Sequence, residues 1–255
     1  MADFLIPDSF QLWHLPLLFF ASLLGESFGT VVGGGSLITQ PALLATGLPL
    51  NAAIATDNAG QLGAEAGILS ETRDDIRKRW KLAIFLFIPL ALGGLLGTWS
   101  LVNASAGLIK PIVIGAVSVL LIYNLFFRHK LQRLRLRKRR YLVMFAFLFV
   151  LGVYDNFIGI GEGTFLRFGA MVILGLSFMQ IHGLRVAATI PIRFYALVVT
   201  GLAGLMAWIY LPFLWLGGFL AGRYVTKYLK QVPEKYIRPS MAVMALAFIA
   251  YLLFI

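Results

Sequence analysis

The chain has 255 residues, 60% of them hydrophobic and only 13% charged, against roughly 25% charged in soluble domains. Together with a mean hydropathy of +0.86, this composition excludes a water-soluble fold. The net charge of +11 does not argue for nucleic acid, because 18 of the 22 Lys and Arg fall in the short stretches 71–81, 128–140 and 223–238, the pattern of cytoplasmic loops.

The predicted elements are helical and follow one another closely. The first, 12–32, is preceded by Asp3 and Asp8 but no basic residue; it lacks the positive start of a cleavable signal and is expected to be retained. It carries Glu26 and leads into Gly33, Gly34, Gly35 and Ser36. The second, 36–47, would reach only about 18 Å, against a hydrocarbon core of about 30 Å. The third, 51–70, places Asp57, Gln61 and Glu65 at steps of four, on one helical face that should not meet lipid. The fourth and fifth, 82–102 and 107–127, are apolar and end at the basic stretch 128–140. The sixth, 141–160, carries Asp155 and runs into Gly159, Gly161, Glu162 and Gly163. A second short element, 164–176, begins with Thr164 and holds Arg167. His182 lies near a loop and is expected to be an interfacial histidine. The eighth, 184–205, carries Arg185 and Arg193, and the elements 209–222 and 237–255 complete the chain.

The chain also resembles itself. A shift of 128 residues aligns Gly33-Gly34-Gly35-Ser36 with Gly161-Glu162-Gly163-Thr164, Gly47-Leu48 with Gly175-Leu176, and Ile109-Lys110-Pro111 with Ile237-Arg238-Pro239. Three matches at one shift of half the length indicate duplication. The expected organisation is a first transmembrane repeat 1–127, a basic cytoplasmic linker 128–140 and a second repeat 141–255. If all three basic stretches are cytoplasmic, equivalent loops lie on opposite sides. The fold is then an all-α integral membrane protein of two inverted repeats, about five elements each, with both termini external. In each repeat the second element is short and follows a glycine break.

Short, glycine-interrupted segments at matching positions point to a midplane site where helix N-termini offer amides to an anion. The bland reading is close packing through small residues. The same shift carries Asp57 to Arg185, Gln61 to Thr189 and Glu65 to Arg193, so an acidic stripe corresponds to a basic-and-hydroxyl one. In the structural reading, Asp57 and Glu65 neutralise Arg185 and Arg193. In the functional reading, an arginine fork receives substrate oxygens while a carboxylate couples proton movement. Arg167 stands one turn into its short helix, where it adds positive charge or pairs with Glu162. Glu26 and Asp155 join the coupling or counter-ion set. The candidate substrate set is Gly33, Gly34, Gly35, Ser36, Gly161, Glu162, Gly163, Thr164, Arg167, Arg185 and Arg193.

The chain has no cysteine and only three scattered histidines, which gives no metal spacing. It has no G-x-S-x-G, H-E-x-x-H or Walker sequence, so neither an enzyme nor a bound cofactor is expected, and energy must come from ion or substrate gradients. The expected partners are a small anion, the lipid bilayer and protons.

These residues resemble the sulfite exporter TauE/SafE family of membrane transporters. The resemblance rests on Gly33-Gly34-Gly35-Ser36-Leu37 with Pro41, Gly47-Leu48-Pro49, Ala53, Ala55-Thr56, and Pro89 with Gly93-Gly94-Leu95-Leu96-Gly97. A second copy reads Gly161-Glu162-Gly163-Thr164-Phe165, Gly175-Leu176, Ala188-Thr189 and Gly217-Gly218-Phe219-Leu220. The family implies a multi-pass protein of a bacterial inner membrane that exports sulfite, sulfoacetate or related organic anions. Asp57, Glu65, Glu162 and Arg193 depart from the family's more apolar or hydroxylic pattern. The competing expectation is a membrane-embedded assembly protein whose polar stripes only lock helices together.

Overall fold

The computed structural model describes residues 6–31, 33–122 and 139–228. Nine helices occur among them: α1 (His14–Val31), α2 (Ser36–Ala45), α3 (Leu50–Lys78), α4 (Trp80–Asn103), α5 (Ala106–Ile122), α6 (Arg140–Phe157), α7 (Glu162–Gly169), α8 (Phe178–Leu202) and α9 (Leu211–Tyr228). A π-helical turn, Ala170–Leu174, prolongs α7, and a 3-10 turn, Trp208–Tyr210, leads into α9. The described residues contain no strand. The expected tenth element and most of the basic stretch 128–140 lie outside them.

Polarity is arranged for lipid. Phe20, Leu24, Ile88, Leu92, Trp99, Val150, Phe194 and Val198 are exposed, while Asp57, Glu65, Asp155, Glu162, Arg185 and Arg193 are buried. Charges at such depth survive only inside the bundle. Four helices, α1, α4, α6 and α8, are long and apolar enough to cross a bilayer. The chain is a multi-pass, all-α integral membrane protein.

The first two helices form a hairpin. Ser9 Oγ donates to Thr46 O at 2.6 Å, so the end of α2 returns to the level at which the chain enters α1. From there α3 runs 29 residues, about 43 Å, to the other end of the bundle, where α4 begins. At that end Tyr141, starting α6, packs edge-on against Phe85 of α4, with ring centroids 5.5 Å apart. The hairpin of α6 and α7 therefore enters from the end opposite to α1.

The stretch 71–81, expected as a loop, is helical: α3 continues to Lys78 and α4 starts at Trp80. Glu71, Arg73, Asp74, Asp75, Arg77 and Lys78 are exposed. Past the hydrocarbon, charged side chains are solvated and nothing requires the helix to stop. Residues 223–228 likewise form the end of α9.

Glycines set the close helix contacts. α4 packs on α6 and α8, and α9 packs on α1 and α3. A Cβ on Gly93 would lie 2.0 Å from Phe149 O, one on Gly222 2.2 Å from Ala64 O, and one on Gly63 2.3 Å from Trp215 O. Backbones meet here without side chains between them, the mode by which helices associate where lipid offers no hydrophobic drive.

Candidate functional site

Two breaks build the site. Gly33 has φ +96 and Gly161 φ +77, backbone that residues with a Cβ resist. Gly47 and Gly175, which follow the two short helical segments, form a second pair with φ +87 and +73. Both pairs are separated by the repeat shift. The hairpin tips touch, since a Cβ on Gly33 would fall 2.2 Å from Thr164 N. Neither α2 nor α7 receives a cap from the side chain of its N-cap residue, which is glycine in both, Gly35 and Gly161.

Each tip is held by the short helix of the other hairpin. Gln40 Nε2 on α2 donates to Ile158 O, at the end of α6, at 2.8 Å. Arg167 on α7 donates from Nη1 to Val31 O at 3.0 Å and from Nη2 to Thr30 O at 2.8 Å, at the end of α1. Terminal helix carbonyls lack intrahelical partners, so both contacts satisfy groups that would otherwise be buried alone. Arg167 also lies over the Phe178 ring and within 3.3 Å of His182 Nδ1. The expectation of an interfacial His182 is corrected here: the ring is fully buried, because its Nε2 reaches Thr226 Oγ1 of α9 at 3.1 Å.

The charged stripes meet, with the expected pairing of Glu65 with Arg193 present and that of Asp57 with Arg185 replaced. Arg193 Nε donates to Glu65 Oε1 at 2.8 Å and its Nη2 to Asp155 Oδ1 at 3.2 Å. Thr189 Oγ1 donates to the same Glu65 oxygen at 2.7 Å. Arg185 Nη1 pairs with Glu162 Oε2 at 2.9 Å, so the expected match of Arg185 with Asp57 is corrected. Asp57 instead accepts from neutral donors: Thr39 Oγ1, Gln40 Nε2 at 3.2 Å and Gln61 Nε2 at 3.3 Å. The short helix places Thr39 and Gln40 beside Asp57, closer than the arginine of the equivalent position.

Between the tips lies a small, partly open cavity of about 20 Å³, room for about one water molecule. Of the sequence-predicted residues, Glu26, Gly33, Gly35, Ser36, Gln61, Glu162, Gly163 and Arg185 line it, and Gly29 and Gly159 complete it. Gly34, Gly161 and Thr164 belong to the breaks themselves. Asp57, Glu65, Asp155, Arg167 and Arg193 stand outside its wall. Thr39 and Gln40 are supporting residues that sequence reasoning passes over, although two polar side chains inside an otherwise apolar ten-residue helix are a usable signal.

Arg185 Nε and Glu162 Oε1 are buried and meet no hydrogen-bond partner among the described residues. Arg185 thus brings an unfilled donor to the wall of a cavity that also holds the Ser36 hydroxyl and the start of α2, while Gln61 Nε2 donates to Ser36 Oγ at 3.1 Å and to Asp57 Oδ2 at 3.3 Å. Such a set can hold a small oxyanion.

The sequence pattern of the family described as sulfite exporter TauE/SafE matches residues 18–252. Named relatives include a probable membrane transporter protein of Haemophilus influenzae, 27% identical over 239 residues that cover 91% of each chain. Another, the probable membrane transporter protein YfcA of Escherichia coli K12, is 27% identical over 247 residues, 94% of this chain and 90% of that one. The probable membrane transporter protein ORF9 of a Sinorhizobium species is 24% identical over 249 residues, 91% of this chain and 90% of that one. No solved structure matches. With nearly its whole length matched, the chain belongs to the sulfite exporter TauE/SafE family and is a membrane transporter.

Proposed function

We propose that this transporter is a secondary exporter of a small organic or sulfur-containing anion, sulfite or a sulfonate, bound where the two hairpin tips meet. The observation that carries the reading is Arg185, buried at the cavity wall with one guanidinium edge on Glu162 and its Nε unfilled. A planar fork of this kind suits the oxygens of a sulfur oxyanion.

We further read the chain as two inverted repeats, 1–127 and 141–255, joined by the linker 128–140. Three observations support this: the matched positive-φ glycine pairs, the reciprocal support of each tip by the opposite short helix, and entry of the hairpins from opposite ends of the bundle. In such an architecture, rocking of one repeat against the other would open the cavity to alternate sides.

Exchange in reconstituted vesicles tests the function. Vesicles preloaded with unlabelled sulfite should accelerate the entry of radiolabelled sulfite or methanesulfonate when they contain the protein, and not otherwise. No exchange of sulfite, sulfoacetate or methanesulfonate by folded protein would overturn the anion assignment.

A further inference from the structure

Among the described residues, ion pairs and hydrogen bonds together leave one buried acid over. Glu162 faces Arg185, Glu65 and Asp155 share Arg193, and Asp57 takes three hydrogen bonds from neutral donors. Glu26 is buried to a similar degree, lines the cavity, and makes no hydrogen bond or ion pair with any described residue. A lone carboxylate in that position costs several kcal/mol unless it is neutralised.

Its place is also the substrate's place. A Cβ on Gly35 would come 3.0 Å from Glu26 Oε1, and one on Gly29 3.4 Å from Oε2, so the carboxyl lies against the start of α2. The groups that would favour a bound anion there, helix amides and Arg185, act equally on an ionised Glu26. The charged groups acting on it are Asp57 and Glu65 on α3 and Arg185 and Arg193 on α8, and Glu162 on α7 lines the same cavity. α2 carries no titratable side chain, and Arg223 and Lys227 of α9 are exposed. Around Glu26, three further carboxylates stand against two arginines, so a second negative charge in the cavity requires that Glu26 lose its own.

We infer that Glu26 is the coupling residue of this site: it is an internal competitor for the anion position and takes up one proton for each anion bound. The inference rests on the anion reading proposed above and assigns the coupling to Glu26 rather than to Asp57, whose two oxygens both accept hydrogen bonds, or to Glu65, whose Oε1 is held by Arg193 and Thr189.

The test is calorimetric binding of methanesulfonate, whose sulfonate remains ionised throughout the working range of pH. Measurements in buffers of different ionisation heat give the protons taken up per anion. Wild-type protein should bind with uptake of about one proton, and with affinity falling about tenfold per unit of pH where free Glu26 is ionised. Glu26→Gln should bind with affinity that ignores pH and with no proton uptake, while Glu71→Gln, on the surface, should behave as wild type. Glu26→Ala replaces the glutamine variant should the latter not fold. Proton-neutral binding by wild type up to the highest pH at which the protein stays folded, a sodium requirement in place of the pH dependence, or full proton uptake by a folded Glu26 variant would overturn the inference. Absence of any methanesulfonate or sulfite binding would instead remove the anion reading beneath it.

Discussion

Glu65 and Arg193, 128 residues apart, form a buried ion pair with Nε to Oε1 at 2.8 Å. Their separation is the same shift of 128 residues at which the two glycine clusters align. Arg193 in addition reaches Asp155 at 3.2 Å, which ties α3, α6 and α8 at one point. Breaking a buried pair strands a charge and costs about 3–5 kcal/mol. Arg193→Gln strands two carboxylates and Glu65→Gln strands none fully, since Asp155 still faces the arginine. Thermal unfolding in detergent should therefore place Arg193→Gln well below Glu65→Gln, and both below wild type. Equal stability of the two variants would mean that Asp155 contributes nothing to the triad.

The glycine contacts predict a sharp contrast among glycine-to-alanine changes. Gly93→Ala puts a Cβ 2.0 Å from Phe149 O, and Gly33→Ala combines a 2.2 Å approach to Thr164 N with φ +96. Both should greatly reduce the yield of monodisperse protein. Gly107→Ala meets nothing within 4 Å and should leave yield and melting temperature unchanged. A well-folded Gly93→Ala variant would show that α4 and α6 can separate without loss.

Arg167 and Arg185 should fail in different ways. Arg167 closes the end of α1 through Thr30 O and Val31 O, so Arg167→Gln should lower the melting temperature first, with binding reduced only in proportion to unfolding. Separate measurement of melting temperature and of the affinity of the folded fraction distinguishes the two effects. Intact stability of Arg167→Gln with lost affinity would make Arg167 a substrate ligand.

Sidedness can be read directly, because the chain has no cysteine of its own. Single cysteines at Ser9 and Asn103, both exposed, should react with an impermeant reagent added to intact cells. One at Gln132, in the basic stretch, should not. Labelling at Gln132, or protection at Ser9 in normally expressed protein, would refute the inverted arrangement with external termini.

Much of this architecture is legible in the sequence because glycine has few substitutes. The breaks are marked by clusters whose positive φ and backbone contact no other residue tolerates, and the matching shift exposes both at once. The stripe Asp57, Gln61, Glu65 is equally plain from helical spacing. The match of Glu65 with Arg193 follows from the shift as well, but the partners of Asp57 do not. Periodicity gives the face on which Asp57 lies, but the choice between Arg185 and the Thr39–Gln40 pair depends on how deeply α2 folds back along α1, which is a tertiary matter. His182 is hidden for the same reason: its burial comes from Arg167 and Thr226, distant in sequence. The helical course of 71–81 escapes a reading that equates charge with loop, since those charges mark only where the helix leaves the hydrocarbon.

The central claim is that a buried arginine between two hairpin tips receives a small sulfur oxyanion, and Arg185→Gln tests it most directly. Equilibrium binding of sulfite and methanesulfonate should be measured on purified wild-type and variant protein, with melting temperature as the check on folding. The account predicts saturable binding by wild type, and at least a hundredfold loss, equivalent to about 2.7 kcal/mol, in a variant that still folds. Unchanged affinity in folded Arg185→Gln would contradict it and return Arg185 to the role of a counter-ion for Glu162.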